Sequence, residues 1–376
     1  MEENSMVSPF LVRMRTGLAM LGYNVFKIRR PLTSQILVTK HCNMDCKMCF
    51  VYPADKKEKI KNTPEPTYDQ LEYLIEESCK LGAQVIIPFG GEPLLRNDIG
   101  KILQAIKIRN RYCILYTNGT FVEEKIEDLQ WVDQLVISID GDEATHDSIR
   151  GPGAYAKAIA ALELALQRGL VCRLHTALIP DTLATLPHMT KLSQEYGVML
   201  NYGSCDTTEW TKSSTDNIVL GRTELVEFLK EYKAFKQQGV QISTPAKVIQ
   251  ELIRIIQEWP GEDFTLSKRE AQRYAHLNIP KCALAFSNIY IDSDGCAYPC
   301  LPLWGKEGKG PNVYDVGLKK AWDHYAQLDC HQCASIFTIE KSLFYSFHVG
   351  TLLQYLSGYQ ILRQTPRRNK LGTRNV

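Results

Sequence analysis

No run of 18 consecutive apolar residues occurs in this chain, and its first residues, Met1-Glu-Glu-Asn4, are neither basic nor followed by an unbroken apolar stretch. The first absence excludes a membrane-spanning helix and the second a secretory signal, so a cytoplasmic location is expected. Twelve cysteines among 376 residues are too sparse for a disulfide scaffold. They are clustered, which suits a reducing compartment and metal ligation. Net charge is only +2, and there is no internal repeat or low-complexity tract. Two stretches have no acid at all. From Asn4 to Met44 the charged residues are Arg13, Arg15, Lys27, Arg29, Arg30 and Lys40; from Lys341 onward they are Lys341, Arg363, Arg367, Arg368, Lys370 and Arg374. The body between these basic ends is therefore acidic. Basic tails without an appended recognition domain give no reason to expect nucleic acid as a partner.

What is present centres on Cys42-Asn-Met-Asp-Cys46-Lys-Met-Cys49-Phe50, a C-x3-C-x2-C triplet directly after the apolar run Gln35–Thr39. Such a run reads as a buried strand. The cysteines then lie on the loop leaving its carboxyl end, where α/β folds place ligands. Three thiolates can hold three irons of a [4Fe–4S] cluster and leave the fourth iron open. A zinc site asks for four ligands in two pairs, and scattered core thiols are the other alternative.

Strand and helix patterns alternate from there. A helix opens at Thr67 with Gln70 completing a capping box. The strand Gln84–Phe89 runs into Gly90-Gly91-Glu92-Pro-Leu-Leu95. A helix capped by Asn97 leads to the strand Tyr112–Tyr116 and the turn Thr117-Asn118-Gly119-Thr120. A helix around Glu123–Gln130 precedes the strand Gln134–Ile139, which ends in Asp140-Gly141; His146-Asp-Ser-Ile-Arg150 follows. The strand Val171–Ile179 carries His175, read as a satisfied core or rim residue. A helix from Pro187 to Gly197, the strand Val198–Tyr202 and a helix over Thr223–Gln238 complete six repeats. Ahead of them, Phe10, Met14, Leu18, Leu21 and Val25 form a helical stripe between Pro9 and Arg30, suited to an anionic lipid surface or to plugging a barrel.

The triplet, Gly90-Gly91-Glu92, the Thr-Asn-Gly turn and the Ser138-x-Asp140-Gly141 strand end together resemble the radical S-adenosylmethionine (SAM) enzymes, over roughly residues 34–240. The resemblance implies a partial (β/α)6 barrel of the TIM-like α/β class. It also implies a [4Fe–4S] cluster on Cys42, Cys46 and Cys49, with SAM chelated at the open iron. Gly90, Gly91 and Glu92 would hold its ammonium. Asn118, Ser138 and Asp140 would meet its ribose or carboxylate. By its charge Arg150 suits a carboxylate partner or a helix-end ion pair. Met48 stands where the family commonly has an aromatic residue near adenine. Farther on, Cys282 and Cys300 flank a hairpin over Asn288–Tyr298 with a Ser-Asp-Gly turn, and Cys330-His-Gln-Cys333 follows. This resembles a short SPASM/twitch extension, a small α+β unit holding one auxiliary [4Fe–4S] cluster on Cys282, Cys300, Cys330 and Cys333. Zinc in the same thiolates, or Cys296 replacing one of them, are alternatives. Cys79, Cys113, Cys172 and Cys205 read as structural.

The expected organisation is an amphipathic basic segment (1–33), the barrel (34–240), the auxiliary-cluster unit (241–340) and an aromatic, basic tail (341–376). The tail would close the barrel mouth or touch lipid. The implied activity is reductive cleavage of SAM to a 5′-deoxyadenosyl radical, which takes hydrogen from an unactivated carbon; no catalytic side chain is assigned. The substrate is expected to be hydrophobic, an isoprenoid, lipid or tetrapyrrole, since no leader-binding domain precedes the barrel. Peptide or peptide-cofactor maturation is the alternative, and a non-catalytic iron–sulfur electron carrier the alternative of another class. A low-potential donor such as flavodoxin or ferredoxin is the expected protein partner, with peripheral membrane association through the basic ends.

Overall fold

The structure is a computed structural model describing residues 9–26, 28–51, 58, 60, 62–205, 218–261, 265–304, 310–328 and 330–345. Six parallel strands form its centre: β1 (Thr33–Thr39), β2 (Val85–Gly90), β3 (Tyr112–Thr117), β4 (Gln134–Ser138), β5 (Cys172–Leu178) and β6 (Met199–Ser204). They stand side by side in chain order, the arrangement of a partial (β/α)6 barrel. The helices are α1 (Pro9–Phe26), α2 (Tyr68–Leu81), α3 (Ile99–Ile108), α4 (Glu143–Arg150), α5 (Ala154–Gln167), α6 (Leu186–Tyr196), α7 (Arg222–Gln237) and α8 (Ala246–Glu258). Both faces of the strands are buried. Ile36, Ile86, Leu115, Ile137, Leu174 and Leu200 pack outward under the helices, while Leu37, Ile87 and Phe89 face the inside of the barrel. This explains the near-continuous apolar runs of the strand sequences.

Local chemistry sets most boundaries. Thr67 Oγ1 accepts from Gln70 N and Gln70 Oε1 accepts from Thr67 N, as a capping box requires, and Gly82 ends α2 in the left-handed region. Two expectations fail. The residue before α3 is Asp98, not Asn97, and its carboxylate grips Arg96 in a two-point ion pair instead of capping the helix. No α-helix forms over Glu123–Gln130; turns lead into a short 3-10 segment, Asp128–Trp131. There Glu123 faces Glu127 and Glu124 faces Asp128 at helical i,i+4 spacing, and these like charges work against a helix.

The C-terminal part is less separate than its cysteine pattern implies. After β7 (Thr265–Leu266) and a short α9 (Leu284–Ser287), β8 (Asn288–Ile291) pairs in parallel with β1, placing Thr33 opposite Asn288. The expected hairpin then forms with β9 (Ala297–Tyr298), turning at Gly295 with φ +85°. It therefore extends the barrel sheet to eight strands. Lys40, just after β1, pairs with Asp292, just after β8, at 2.8 Å, with both side chains largely buried. β10 (Gln332–Cys333) pairs with β7, and α10 (Ile336–Tyr345) packs against β6, α8 and α9. In that position α10 covers the edge strand β6 and touches the helix that leads into β8.

Helix α1 both plugs and exposes. Met20 and Tyr23 pack with Leu32, Phe286 and Tyr345, and Tyr23 stacks on Phe286. The stripe read from sequence faces outward instead, with Leu18 60% and Val25 59% exposed. The helix is apolar almost all round, so periodicity alone could not tell which face docks. Two basic residues of this end are engaged inside the molecule: Lys40 with Asp292, and Arg29 against the Trp322 ring and carbonyl. Among the described residues no helix is long and apolar enough to cross a membrane. The tail aromatics from Phe347 onward lie outside the described residues.

Replacing Asp292 with Ala leaves Lys40 buried without its partner, a loss of about 3 kcal/mol. The expected result is a lower urea midpoint and faster proteolytic release of the C-terminal part; unchanged values for both would show that the pair does not join the hairpin to the barrel.

Candidate active site

The three cysteines of the loop after β1 are all half-buried. Met44 N–H donates to Cys42 Sγ, Cys49 N–H donates to the Cys46 carbonyl, and Lys47 N–H donates to the Ile149 carbonyl on α4. Burial pushes the Cys42 thiol up to about 12, with the Cys49, Glu92 and Cys46 charges adding to it against the Met44 N–H. Cys46 is also raised by burial, opposed by Arg150, whose Nη1 stands 3.9 Å from its sulfur. The raised Cys42 and Cys46 thiols belong to a site whose electrostatics an iron cluster would reverse, because bound metal deprotonates its thiols. The residues fit such a group.

The Gly90-Gly91 turn is shaped by this loop. Gly91 N–H donates to the Thr39 carbonyl and Glu92 N–H to the His41 carbonyl. A Cβ on Gly90 would stand 2.2 Å from the Thr39 oxygen, and one on Gly91 2.1 Å from the His41 oxygen. The glycines are thus required by the approach of two backbones. Glu92 has no exposure. Its carboxylate accepts from Leu94 N, Thr117 Oγ1 and Asn118 N, bridging the ends of β2 and β3. Burial raises its pKa to about 7 against those donors. In the structure Glu92 braces the ends of β2 and β3.

Asp140 is likewise engaged. One oxygen accepts from Arg150 Nε and the other from Ala177 N, and the side chain is fully buried. Of the two readings of Arg150, the internal ion pair is the one observed, with Cys46 on its other side. Asn118 links its amide to Asn43 in the cysteine loop and receives Thr120 N. Ser138 faces the cavity below, as do Gly90, Gly91 and Met48. Met48 packs with Ile149, Ile179 and Cys205. His146 holds the Asp140 backbone N–H on its Nδ1 at 3.0 Å.

The second cysteine set also comes together. Burial holds Cys300 well above its usual range, and the neighbouring Cys282, Cys333 and Cys330 add to the effect. Cys282 N–H donates to the His331 carbonyl, tying the start of the hairpin to the C-x2-C turn. Cys296 is buried among Leu37, Phe89, Tyr298 and Trp304, a cluster that Cys300 also packs against. Among the described residues no three Cys, His, Asp or Glu side chains stand close enough to share one metal ion; in a cluster each thiolate holds its own iron, so its spacing is wider. Cys113 and Cys172 are core residues, as expected.

A cavity of about 580 Å³ runs from the cysteine loop down the barrel. His175, read from sequence as core or rim, lies on its wall. Asn201 gives its amide N–H to Ser243 and accepts from His175 Nδ1 at 3.0 Å; Tyr116 meets the ring edge-on. The polar alternation Arg173, His175 within β5 was the signal for an inward-facing polar row, and sequence reasoning did not use it.

Residues 36–192 match the family model described as the Radical SAM superfamily. This stretch carries the radical SAM domain, and the members of that superfamily use a [4Fe–4S] cluster and SAM. The chain is 32% identical over 166 residues to a pre-heme d1 synthase of Dinoroseobacter shibae, covering 43% of this chain and 40% of the relative. It is 25% identical over 215 residues to a PqqA peptide cyclase of Gluconobacter oxydans, covering 56% of this chain and 59% of that one. The chain thus spans less than half the length of the first curated relatives it matches. Its fold is similar to Streptococcus suis SuiB bound to precursor peptide SuiA (TM-score 0.63, 15% identity, 89% of this chain and 76% of that chain). It is also similar to anSMEcpe with bound AdoMet (TM-score 0.58, 17% identity, 90% and 100%).

Two outcomes are expected. Gly91→Ala should displace the cysteine loop and lower the iron held there, read as iron content and as loss of the SAM-induced change in the cluster's electron paramagnetic resonance; normal values would show that the loop tolerates the Cβ. His175 is lowered to about 4, chiefly by burial. It is neutral in the fold, so the stability this provides is present above pH 6.5 and lost as pH falls toward 4. Between pH 6.5 and 5 that is at most about 2 kcal/mol, and the urea midpoint of His175→Asn should fall less over this range than that of the unaltered chain; parallel falls would refute it.

Proposed function

We propose that this chain is an enzyme that cleaves SAM reductively and abstracts hydrogen from an unactivated carbon of a substrate seated in the barrel cavity. One observation carries the reading: three cysteines, the Gly90–Glu92 turn and the cavity mouth meet at one end of the barrel. When bound, the cluster and SAM supply the one-electron chemistry that starts hydrogen abstraction. Cys42, Cys46 and Cys49 hold three irons. The Gly90 and Gly91 carbonyls accept from the SAM ammonium, and Glu92 fixes that turn against Thr117 and Asn118. Asn118 and Ser138 offer an amide and a hydroxyl to the ribose or carboxylate. Asp140 holds Arg150 beside Cys46, where the guanidinium steadies negative charge on the thiolates. The apolar walls below exclude water from a reactive centre.

Cys282, Cys300, Cys330 and Cys333 provide thiolates for a second, closed cluster of the SPASM/twitch kind, which would bind substrate or take up an electron from the product radical. Cys296, whose cluster Cys300 also packs against, is the alternative ligand. The unit boundaries at 240 and 340 are part of the same reading, with the hairpin shared by both units. A low-potential donor such as flavodoxin or ferredoxin would deliver the electron.

The substrate favoured is a hydrophobic small molecule: an isoprenoid, lipid or tetrapyrrole. The apolar cavity supports this, and so do relatives named pre-heme d1 synthase and AdoMet-dependent heme synthase. Peptide or peptide-cofactor maturation is the second reading, favoured by the PqqA peptide cyclase relative. A plain electron carrier would leave the Gly90-Gly91 turn and the cavity without a use. Peripheral attachment to anionic membranes would use the exposed face of α1 and the basic residues of both ends other than Arg29 and Lys40, which are engaged internally.

Anaerobically reconstituted protein is expected to hold about eight irons, as two [4Fe–4S] clusters. Changing Cys42, Cys46 and Cys49 together to Ala should leave about four and abolish 5′-deoxyadenosine formation. Zinc in place of the remaining four irons would refute the auxiliary cluster, and 5′-deoxyadenosine from the triple variant would refute the reading as a whole.

A further inference from the structure

The lower half of the cavity contains charge that the chemistry at its mouth does not use. Arg173 lies on β5 four residues before Ala177, whose N–H binds Asp140 at the rim. At about 3.3 Å per residue this puts Arg173 roughly 13 Å beneath the rim. Its Nη2 donates to Tyr116 Oη at 2.9 Å, its guanidinium carbon lies 5.8 Å from the Tyr116 ring centre, and its Nε is buried without a partner. Lys341, on α10, lines the same cavity with its ammonium 5.5 Å from the Phe337 ring centre. Among the described residues neither Arg173 nor Lys341 forms an ion pair. Burial lowers the Lys341 pKa, the Arg173 charge lowers it further, and Glu340 opposes both. Buried cations without an ion pair are costly, and an anionic ligand would relieve that cost.

Two further side chains on the cavity wall point to a polar ligand end. Gln134 is 2% exposed and Asn288 1% exposed; the Gln134 amide oxygen and both polar atoms of the Asn288 amide are buried with no hydrogen-bond partner. Buried amides in that state are unusual, and a ligand would satisfy them. The wall also includes Ile87, Phe89 and Tyr290, an apolar and aromatic surface.

We propose that Arg173 and Lys341 hold a carboxylate of the substrate in the lower barrel, while the substrate's apolar body lies against Ile87, Phe89 and Tyr290 and reaches up toward the SAM site. This rests on the proposed function and names its substrate class: a hydrophobic organic acid whose acid group lies on the order of 10 Å from the carbon attacked. A carboxylate would give Arg173 and Lys341 the ion pair that neither forms among the described residues. Arg173 and Lys341 are specificity residues; nothing places them at the reacting atoms.

The test is equilibrium dialysis of the anaerobic holoprotein with saturating SAM against three probes sharing one apolar body: 1-pyrenebutyrate, 1-pyrenebutanol and 1-pyrenebutyl phosphate. The carboxylate is expected to bind at least about tenfold more tightly than the alcohol, the scale of one charge-assisted pair. Arg173→Gln and Lys341→Gln should each reduce that preference about threefold or more and the double variant should remove it, whereas alcohol binding stays the same. Arg173→Lys should retain most of it. Equal binding of acid and alcohol to the unaltered chain overturns the proposal, as does a preference that survives in the double variant. Tighter binding of the phosphate than of the carboxylate overturns the carboxylate assignment. Should the double variant fail to fold, judged by its iron content, the acid-to-alcohol ratio of the unaltered chain still decides. Binding is read without turnover, so SAM cleavage by a chain that fails here sinks the subsite and spares the proposed function; the converse result separates them in the other direction.

Discussion

The site depends on the approach of two backbones. Thr39 and His41, leaving β1, give their carbonyls to Gly91 and Glu92, leaving β2. Only residues without a Cβ permit that distance. Everything chemical is hung from this seam. The cysteine loop continues on one side, Glu92 carries the other side across to Thr117 and Asn118, and Asn118 returns to Asn43 in the cysteine loop. The ring of contacts closes without a ligand, so the site is largely preorganised before any cofactor arrives.

Two buried carboxylates at the rim show what such preorganisation costs. Glu92 and Asp140 are each fully enclosed and each saturated by donors from neighbouring strand ends. Residues of this kind pass for ligand-binding groups in a sequence, because they occupy the ends of barrel strands where ligands bind. The structure assigns them to holding the strand ends at fixed spacing. At the rim the hydroxyl of Ser138 also lines the cavity.

How much could be read beforehand followed from range along the chain. The cysteine triplet, the Thr67 capping box, Gly197 ending α6 and the Ser-Asp-Gly turn are encoded within a few residues, and they stand as read. The pairing of β8 with β1 joins segments about 250 residues apart and leaves no periodic trace, so the C-terminal part looked separable. The same holds for Lys341 sharing a cavity with Arg173 and for α10 packing against β6. The docking face of α1 was lost for another reason: with apolar residues on nearly every side, its periodicity does not discriminate.

The pairing of β8 with β1 also bears on how the molecule comes into being. During synthesis β1 acquires its neighbour β2 early, but Thr33 waits for Asn288 until most of the chain has emerged. Over that interval β1 is an exposed edge strand of a parallel sheet, with the cysteine loop at its end, and such edges invite pairing with other chains. Non-local parallel pairing is slow as well. Lys40, which ends as the buried partner of Asp292, spends that interval as a solvated charge at the strand's tip, where a lysine discourages aberrant strand addition. One residue thus guards the nascent edge and later locks its replacement.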